Sequence, residues 1–445
     1  MTTLLSRATQ AFIALFVATF VVYGSASAHA SQVRLGITLS HPILQSGKKH
    51  RVYLKVGLHG FKMKRTKRAP VNLAIVLDRS GSMSGEKLRK AKDAARMLVK
   101  MLQPNDIFSL VTYHTNVEVL VPATKVADKS FILRKINSIR PGGFTALFGG
   151  VSKGIAEVRK FLNKKRINRV ILLSDGLANV GPSSPNALGR LGEASAKQHI
   201  AITTIGLGLG YNEDLMTQLA RRSDGNHGFA KNASDLSRIF RAELGDLFSV
   251  VAQEVALHIH CAPGIRPVRI LDRPAEIRGR HVRLQLNQLY SRQEKYFLLE
   301  VEVPSQASLT ARNIGTIQLS YANMQTKKTD KISAVTRVRF TRFAKIMRSS
   351  LNRKVMVEVI EAIGNENNRL AVSLRDKGKI QQARRLLLRT ARYLNDMALR
   401  YNSLRLRKYG RTNKEDAGSL VGKKWRYRRK RMRKQQYKIQ NQTSY

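Results

Sequence analysis

The segment from Val71 to Gly85 constrains the fold of this chain more than any other. It reads Val-Asn-Leu-Ala-Ile-Val-Leu-Asp-Arg-Ser-Gly-Ser-Met-Ser-Gly, a mostly apolar run followed by a turn rich in hydroxyl groups. Such a run is typical of a strand that is buried on both faces of a parallel sheet. Asp78, Ser80 and Ser82 come at its carboxyl end, where oxygen atoms can hold a hard cation.

A second segment of the same kind lies further along the chain. Arg169 to Leu173 is mostly apolar and is followed by Ser174-Asp175-Gly176. From Ala69 to Ser249, strand patterns alternate with amphipathic helix patterns. Alternation of this kind is typical of parallel crossover units. The sequence therefore predicts an α/β domain with a doubly wound, mostly parallel sheet.

The pattern changes to a period of two residues from Val250, which indicates half-buried strands. Two earlier candidate strands, Val33–Leu39 and His50–Leu58, precede the α/β domain. Because these two would have no neighbours of their own, we expect them to join the later strands in a β-sandwich-like unit. The α/β domain is then an insertion in that unit, which closely spaced domain termini permit.

The C-terminal part has helical spacing and no strand pattern from Phe343 to Asn402. We expect a helical hairpin that packs on the β unit. A tetratricopeptide-type helix pair is the alternative, but a single pair cannot form a solenoid. Lys and Arg then crowd residues 423–438 with no acid among them, which predicts a disordered basic tail.

These patterns predict six regions along the chain. They are a signal peptide at 1–30, N-terminal strands of the β unit at 31–68, the α/β domain at 69–249, the β-sandwich-like unit at 250–342, a helical region at 343–408 and a basic disordered tail at 409–445.

The first thirty residues predict export. Arg7 supplies a basic start, Ala11–Val22 an apolar core and Ala28-His29-Ala30 a small-x-small cleavage pattern. The apolar core is shorter than the ~20 residues that a membrane-spanning helix needs, although an uncleaved anchor is the alternative. We expect a protein of the periplasm, cell envelope or exterior, with no transmembrane span in the mature chain. Cys261 is the only cysteine, so no internal disulfide can form.

The charge balance predicts an anionic environment. The chain has 80 Lys and Arg against 29 Asp and Glu, a formal net charge of +51. A surplus on this scale repels itself and favours contact with polyanions. An anionic membrane surface or an acidic polysaccharide is the expected contact for the tail, and nucleic acid is the alternative. A lineage in which all proteins are basic, or a merely solvated tail, would explain the charge without a partner.

Three loops are expected to meet at the carboxyl edge of the predicted sheet. They are Asp78-Arg79-Ser80-Gly81-Ser82, Gly142-Gly143-Phe144-Thr145 and Ser174-Asp175-Gly176. Together they resemble, in order and spacing, the metal-ion-dependent adhesion site of von Willebrand factor A (VWA) domains. The wider layout is similar to bacterial secreted and cell-envelope proteins that carry this domain.

The resemblance implies roles for five residues. Ser80, Ser82 and Thr145 correspond to hydroxyl ligands, and Asp78 and Asp175 to carboxylates that act largely through water. The implied ion is Mg²⁺, with Mn²⁺ or Ca²⁺ as alternatives. An acidic side chain of a protein partner would complete the shell, and no catalytic group is needed.

Simpler interpretations exist for parts of these patterns. Ser80 and Thr145 could be helix N-caps, and Asp175 a turn residue. His258 and His260 lie beside Cys261, but strand alternation places the histidines on one face and the cysteine on the other. A metal site shared by these three residues is therefore not expected.

The sequence thus favours an exported, metal-dependent binding or adhesion protein that is not an enzyme. One alternative is a polyanion-binding protein that acts through its basic surface and tail. Another is a VWA assembly subunit for a chelatase-like ATPase, which would place the chain in the cytoplasm.

Overall fold

The computed structural model describes residues 32–63, 68–273 and 275–442. The predicted signal peptide at 1–30 lies outside the described residues. The strands are β1 (Arg34–Leu39), β2 (Ile43–Gln45), β3 (His50–His59), β4 (Val71–Asp78), β5 (Ile107–Tyr113), β6 (Val117–Lys125), β7 (Ile167–Ser174), β8 (Ala201–Leu207), β9 (His227–Ala230), β10 (Val250–Cys261), β11 (Arg266–Ile270), β12 (Glu276–Arg278), β13 (His281–Tyr290), β14 (Glu294–Val303), β15 (Ala311–Asn323) and β16 (Thr329–Thr341).

The helices cover the α/β region first and then the C-terminal region. They are α1 (Glu86–Met101), α2 (Lys129–Asn137), α3 (Leu147–Arg159), α4 (Pro185–Ala196), α5 (Glu213–Arg222), α6 (Asp235–Leu247), α7 (Ala344–Ser349), α8 (Arg353–Asp376), α9 (Ile380–Arg400), α10 (Leu404–Ala417) and α11 (Gly422–Asn441).

The α/β region is built on a sheet with strand order β6-β5-β4-β7-β8-β9. All neighbours in it are parallel except β6, which runs antiparallel to β5. Every residue of β4 and β7 is buried, as their apolar sequences predict. The predicted α/β fold with a doubly wound, mostly parallel sheet is confirmed.

Alternate residues of β4 supply the two faces of this sheet. Leu73, Ile75 and Leu77 pack on the side of α1, α2 and α6. Ala74 and Val76 pack on the side of α3, α4 and α5. The period of two in a strand therefore gives each layer of helices its own core.

The β-rich part consists of two sheets with a common core. Their strand orders are β1-β3-β14-β11 and β12-β13-β10-β15-β16-β2. β3 pairs along its whole length with β14, so the early strands are partners of strands that follow the α/β region. The α/β region is inserted in a β-sandwich-like unit.

A buried arginine joins the two parts. Arg169 lies on β7, and its guanidinium donates to the Thr203 hydroxyl and to the Tyr290 hydroxyl, each at 2.8 Å. It also lies 3.6 Å from a carboxylate oxygen of Glu243. Because Tyr290 belongs to β13 of the sandwich, this network fixes one unit on the other.

The helical hairpin of α8 and α9 packs on the sandwich. Val355 and Val359 of α8 share a small core with Leu298 of β14. Beside it, the buried Lys55 ammonium lies 2.8 Å from the carboxylate of Glu358. The turn between the helices uses Gly378, whose φ of +76° suits glycine.

The basic C-terminal region is folded, so the prediction of a disordered tail over residues 409–445 is wrong for its described part. α10 crosses the predicted boundary at residue 408, and α11 carries the basic run. Trp425 and Met432, two turns apart on α11, are buried in a core with residues of α8 and α9. The prediction failed because acids from distant segments pair with the basic residues, which local composition does not show.

Within residues 32–63, 68–273 and 275–442, no helix is both long enough and apolar enough to span a bilayer.

Candidate metal centre

The five residues predicted as metal ligands lie on three loops at one edge of the central sheet. β4 and β7 are neighbours, and β5 flanks β4 on its other side. The chain adds β5 and β6 on one side of β4 and then β7, β8 and β9 on the other. The point between β4 and β7 is therefore a topological switch point, where doubly wound sheets leave a crevice for ligands. Asp78 ends β4, and Asp175 directly follows β7.

The loop that carries Thr145 depends on Gly143. Its φ is +73°, and a Cβ at this position would lie 2.7 Å from the Thr115 hydroxyl oxygen. The Gly143 carbonyl accepts a hydrogen bond from the backbone nitrogen of Gly81 at 3.0 Å. A glycine is therefore needed for the close approach that ties this loop to the Ser80–Ser82 turn.

Asp78 is buried and held by two hydrogen bonds. Its Oδ1 accepts from the backbone nitrogen of Ser80 at 2.9 Å, and its Oδ2 accepts from the Ser174 hydroxyl at 2.7 Å. Burial raises the pKa of the Asp78 carboxyl, and the hydrogen bonds from Ser174 and Ser80 oppose that rise without cancelling it. A cation nearby would stabilise the ionised form.

Ser80, Ser82 and Asp175 form a chain of close contacts. The hydroxyl oxygens of Ser80 and Ser82 are 3.1 Å apart, and the Ser82 hydroxyl donates to Asp175 Oδ1 at 2.7 Å. The ammonium of Lys87 contacts the other carboxylate oxygen of Asp175 and donates to the Ser82 carbonyl at 3.0 Å. A positive charge of the protein thus already lies at this edge.

Thr145 reaches the same spot from the second loop. A Cβ built on Gly176 would lie 3.3 Å from the Thr145 hydroxyl and 3.6 Å from the Ser82 hydroxyl, so both oxygens converge beside Gly176. The backbone nitrogen of Thr145 donates to Asn179 Oδ1 at 2.7 Å, which fixes the loop. The structure therefore brings together all five predicted residues.

The oxygen set fits a hard divalent cation. It offers three hydroxyls and two carboxylates, the donor chemistry that Mg²⁺, Mn²⁺ and Ca²⁺ prefer. Within the described residues, the Ser80 hydroxyl does not cap the turn that follows it, and α3 begins after Ala146 and has no side-chain cap. Ser80 thus stands at the N-cap position of that turn without a capping hydrogen bond from its side chain, and Thr145 is not the N-cap of α3.

Three neighbours of the site were not expected from the sequence. Ser174 positions Asp78, Asn179 positions Thr145, and Lys87 pairs with Asp175. Lys87 lies in the first turn of α1, close in sequence to Ser82, and this proximity is the signal that could have found it. Ser174 belongs to the Ser174-Asp175-Gly176 loop, but its hydrogen bond to Asp78 crosses between strands, and no local pattern marks Asn179.

Comparison with known proteins finds matches to the α/β region that carries this site. The family model of the von Willebrand factor type A domain matches residues 72–242. An uncharacterized protein of Synechocystis, sll0103, is 26% identical over 277 residues, which is 60% of this chain and 65% of that protein. The uncharacterized protein YfbK of Escherichia coli is 28% identical over 215 residues, 48% of this chain and 37% of YfbK. The chain thus spans less than two thirds of either relative.

Solved structures extend the likeness of fold to most of the chain. A von Willebrand factor type A protein from Catenulispora acidiphila matches with a TM-score of 0.69 at 15% identity, covering 88% of this chain and 91% of that one. The ArnB paralog VWA2 from Sulfolobus acidocaldarius matches with a TM-score of 0.63 at 18% identity, covering 92% and 98%. Residues 72–242 of this chain therefore match the von Willebrand factor type A domain in sequence, and the fold of such proteins extends over most of the chain.

Proposed function

We propose that this chain is a metal-dependent binding protein and not an enzyme. Ser80, Ser82 and Thr145 would ligate Mg²⁺ directly, and Asp78 and Asp175 would hold it through water, with Mn²⁺ or Ca²⁺ as alternatives. When bound, the ion supplies an electrophilic position that an acidic side chain of a protein partner can complete. The chain itself contributes the position and the surface around it.

The observation that carries this proposal is an apolar rim around the oxygen set. Phe144 is 63% exposed, Leu177 59% and Leu209 48%, and each belongs to a different loop. Phe144 precedes Thr145, and Leu177 follows the Asp175 loop. Leu209 precedes Gly210, whose Cβ would lie 2.9 Å from the Asp175 carbonyl oxygen. Large apolar side chains exposed together on one surface mark a site of protein interaction.

The charges at this edge favour an acidic partner. Lys87 contacts Asp175, and Arg79 follows Asp78 and reaches the exposed Glu118 at 3.5 Å. Both cations are partly accessible and could rearrange when a partner carboxylate approaches. Complementary charge of this kind speeds association and helps to select the partner.

The position of Ser174 supports a role in binding over a role in catalysis. Its hydroxyl is buried and donates to Asp78. A serine nucleophile instead needs a base that accepts its proton and an exposed position beside the substrate. Ser174 is thus a support for Asp78.

Metal-dependent capture of a carboxylate can be tested directly. Immobilised full chain would be exposed to a library of short peptides that carry Asp or Glu between apolar residues, each with an Asn or Gln counterpart. We expect the acidic peptides to bind in excess Mg²⁺ and to be released by EDTA. Thr145→Val, which removes one hydroxyl at nearly constant volume, should abolish this binding.

The matched control is Thr124→Val, which removes an exposed hydroxyl on β6. It should bind like the parent chain. Equal binding of acidic and amide peptides, or binding that survives EDTA, would refute the proposal.

Export and attachment to an anionic surface form the second part of the proposal. The pattern of residues 1–30 and the net charge of +51 support them. The anionic surface would be phospholipid headgroups or acidic polysaccharide. Arg429, Lys430 and Arg433 cannot serve this purpose, because they pair with acids of the protein. Cell fractionation would test export, and steep salt dependence of vesicle binding would test attachment.

A further inference from the structure

Two histidines face each other on the exposed side of the larger sandwich sheet. His260 on β10 and His281 on β13 are paired in register across the two antiparallel strands. Both side chains are exposed, and the opposite face of the sheet packs in the core. The pair therefore takes no part in core packing.

The two Nδ1 atoms lie at hydrogen-bonding distance, and the same spacing suits two nitrogen ligands on one ion. The Nδ1 atoms are 3.1 Å apart, while the ring centroids are 4.3 Å apart, so the rings turn their Nδ1 edges toward each other. Bonds of about 2.0–2.1 Å from a metal to each nitrogen would place the nitrogens at this distance with an angle of about 95–100° at the metal. That angle lies between the ideals for square-planar and tetrahedral coordination.

We propose that His260 and His281 form a second metal site, which binds a divalent transition ion such as Cu²⁺, Ni²⁺ or Zn²⁺. Both rings would ligate through Nδ1 and keep their protons on Nε2. Water would fill the remaining positions. Binding requires only a change of tautomer in the ring that now donates between the two Nδ1 atoms, so no net proton is released from a neutral pair.

The neighbours of the pair decide which ions it takes. Arg278 on β12 lies opposite His281 and contacts Glu276 at 2.6 Å, and Arg283 lies opposite His258 in the next row. Nearby guanidinium groups oppose a cation held by charge alone, which disfavours Mg²⁺ and Ca²⁺. Imidazole binds Cu²⁺, Ni²⁺ and Zn²⁺ through its nitrogen lone pair, and Cu²⁺ should bind most tightly.

This site is independent of the oxygen site of the VWA domain. Its donors are nitrogens, and they belong to strands of the sandwich. Among the described residues, no three His, Cys, Asp or Glu side chains are grouped as metal ligands, so His258 is not expected to join the pair. The proposal therefore stands or falls without the proposed function of the VWA domain.

The test is metal binding by the full chain in excess Mg²⁺, which saturates the oxygen site. Calorimetry with Zn²⁺ should show one site, and the electron paramagnetic resonance spectrum of added Cu²⁺ should show coupling to two nitrogens. His260→Gln and His281→Gln should each weaken binding at least about tenfold, because even the loss of an outer-shell partner costs that much. Circular dichroism should show that both variants are folded.

His258→Gln and His199→Gln are the matched controls. His258 shares the exposed face but has Arg283 opposite, and His199 is an exposed histidine elsewhere. Both should bind Zn²⁺ like the parent chain. Unchanged affinity in His260→Gln or His281→Gln would overturn the proposal. A loss in His258→Gln as large as that in His260→Gln would overturn it too, because another pair would then be the site.

Discussion

Two pairs of acids lie near the carboxyl edge of the central sheet, and they differ in the groups that contact them. Glu213 and Asp214 begin α5, where α11 covers them with cations. Lys430 contacts Glu213 at 2.5 Å, and Arg433 contacts Asp214 at 2.7 Å. Arg429 contacts both acids. Asp78 and Asp175 instead accept hydrogen bonds from serine hydroxyls, and one lysine, Lys87, contacts Asp175.

The carboxyl pKa values follow this difference. Burial opposes ionisation of Glu213, but Lys430 and Arg429 outweigh it, and the pKa is lowered. Burial raises the pKa of Asp78, and hydrogen bonds only reduce the rise. The side chain of Lys430 is 3% exposed and that of Lys87 40% exposed, so the first is buried and the second is accessible to solvent. Glu213 and Asp214 thus form ion pairs between α5 and α11, whereas the proposed metal site uses the two acids that accept hydrogen bonds from serine hydroxyls.

Removing a cation that pairs with Glu213 and Asp214 should have the largest effect on stability. Arg429→Ala leaves Glu213, Asp214 and Asp376 without their shared partner, and we expect it to lower the free energy of unfolding by about 3–5 kcal/mol. Urea denaturation would measure the loss. Arg426→Ala is the control on an exposed position of the same helix and should stay within about 0.5 kcal/mol of the parent chain. Similar losses in both would show that α11 does not seal the acids.

The site of Asp78 and Asp175 should make the stability of the chain depend on metal. At a Mg²⁺ concentration of about 100 times the dissociation constant, the parent chain should gain about 2.7 kcal/mol of stability, and EDTA should remove the gain. Asp78→Asn keeps the shape of the side chain but lacks its charge, so its melting temperature should no longer rise with Mg²⁺. Asp93→Asn, on the surface of α1, should keep the full response. A response of Asp78→Asn equal to that of the parent chain would contradict the assignment.

A further acid, Asp246, tests how burial affects a carboxyl group. Burial, with the charge of Glu243, raises the pKa of Asp246 to about 7. Because this folded pKa is above the unfolded value, the stabilisation is fully present below the unfolded pKa and is lost as pH rises through about 7. From pH 5 to pH 8, we expect Asp246 to cost the chain on the order of 2 kcal/mol.

Asp246→Asn should remove that part of the pH dependence, as measured by urea denaturation at both pH values. Asp396→Asn, at an exposed position of α9, should keep the pH dependence of the parent chain. If Asp246→Asn loses as much stability between pH 5 and pH 8 as the parent chain, Asp246 is ionised at no cost.

The smallest effect concerns Lys87, the cation that contacts Asp175. Lys87→Met removes an ammonium that competes with a metal ion for Asp175, so calorimetry should show Mg²⁺ binding up to about fivefold tighter. Lys90→Met, one turn further along α1, is the control and should bind Mg²⁺ like the parent chain. Weaker binding in Lys87→Met than in Lys90→Met would mean that Lys87 supports the site instead of competing for it.

The sequence predicted the α/β fold because its signals are local. The apolar runs of β4 and β7 are buried on both faces whichever helices cover them. Each run ends in its oxygen-bearing residues, so a correct sheet brings Asp78 and Asp175 to the same edge. The placement of Thr145 could be predicted from the glycine loop that precedes it and the helix that follows it. The convergence of these residues could therefore be predicted, and their supports, Ser174 and Asn179, could not.

The basic C-terminal region shows the opposite case. Its composition indicates repulsion and disorder, yet α11 is packed through Trp425 and Met432, and Arg429 pairs with acids from α5 and α8. Arg169 likewise lies in a run that looks apolar, and its partners are on other strands of both units.

The sequence by itself determined which strands are buried and which side chains lie at their carboxyl ends, because periodicity and strand polarity act over a few residues. Only the tertiary structure decided which charges are neutralised and which histidines meet. Those outcomes depend on partners that are far apart in sequence, such as Arg429 and Glu213, which are more than two hundred residues apart. Electrostatic pairing acts through space, so only the folded chain shows that cations cover Glu213 and Asp214 while Asp78 accepts its hydrogen bonds from Ser174 and Ser80.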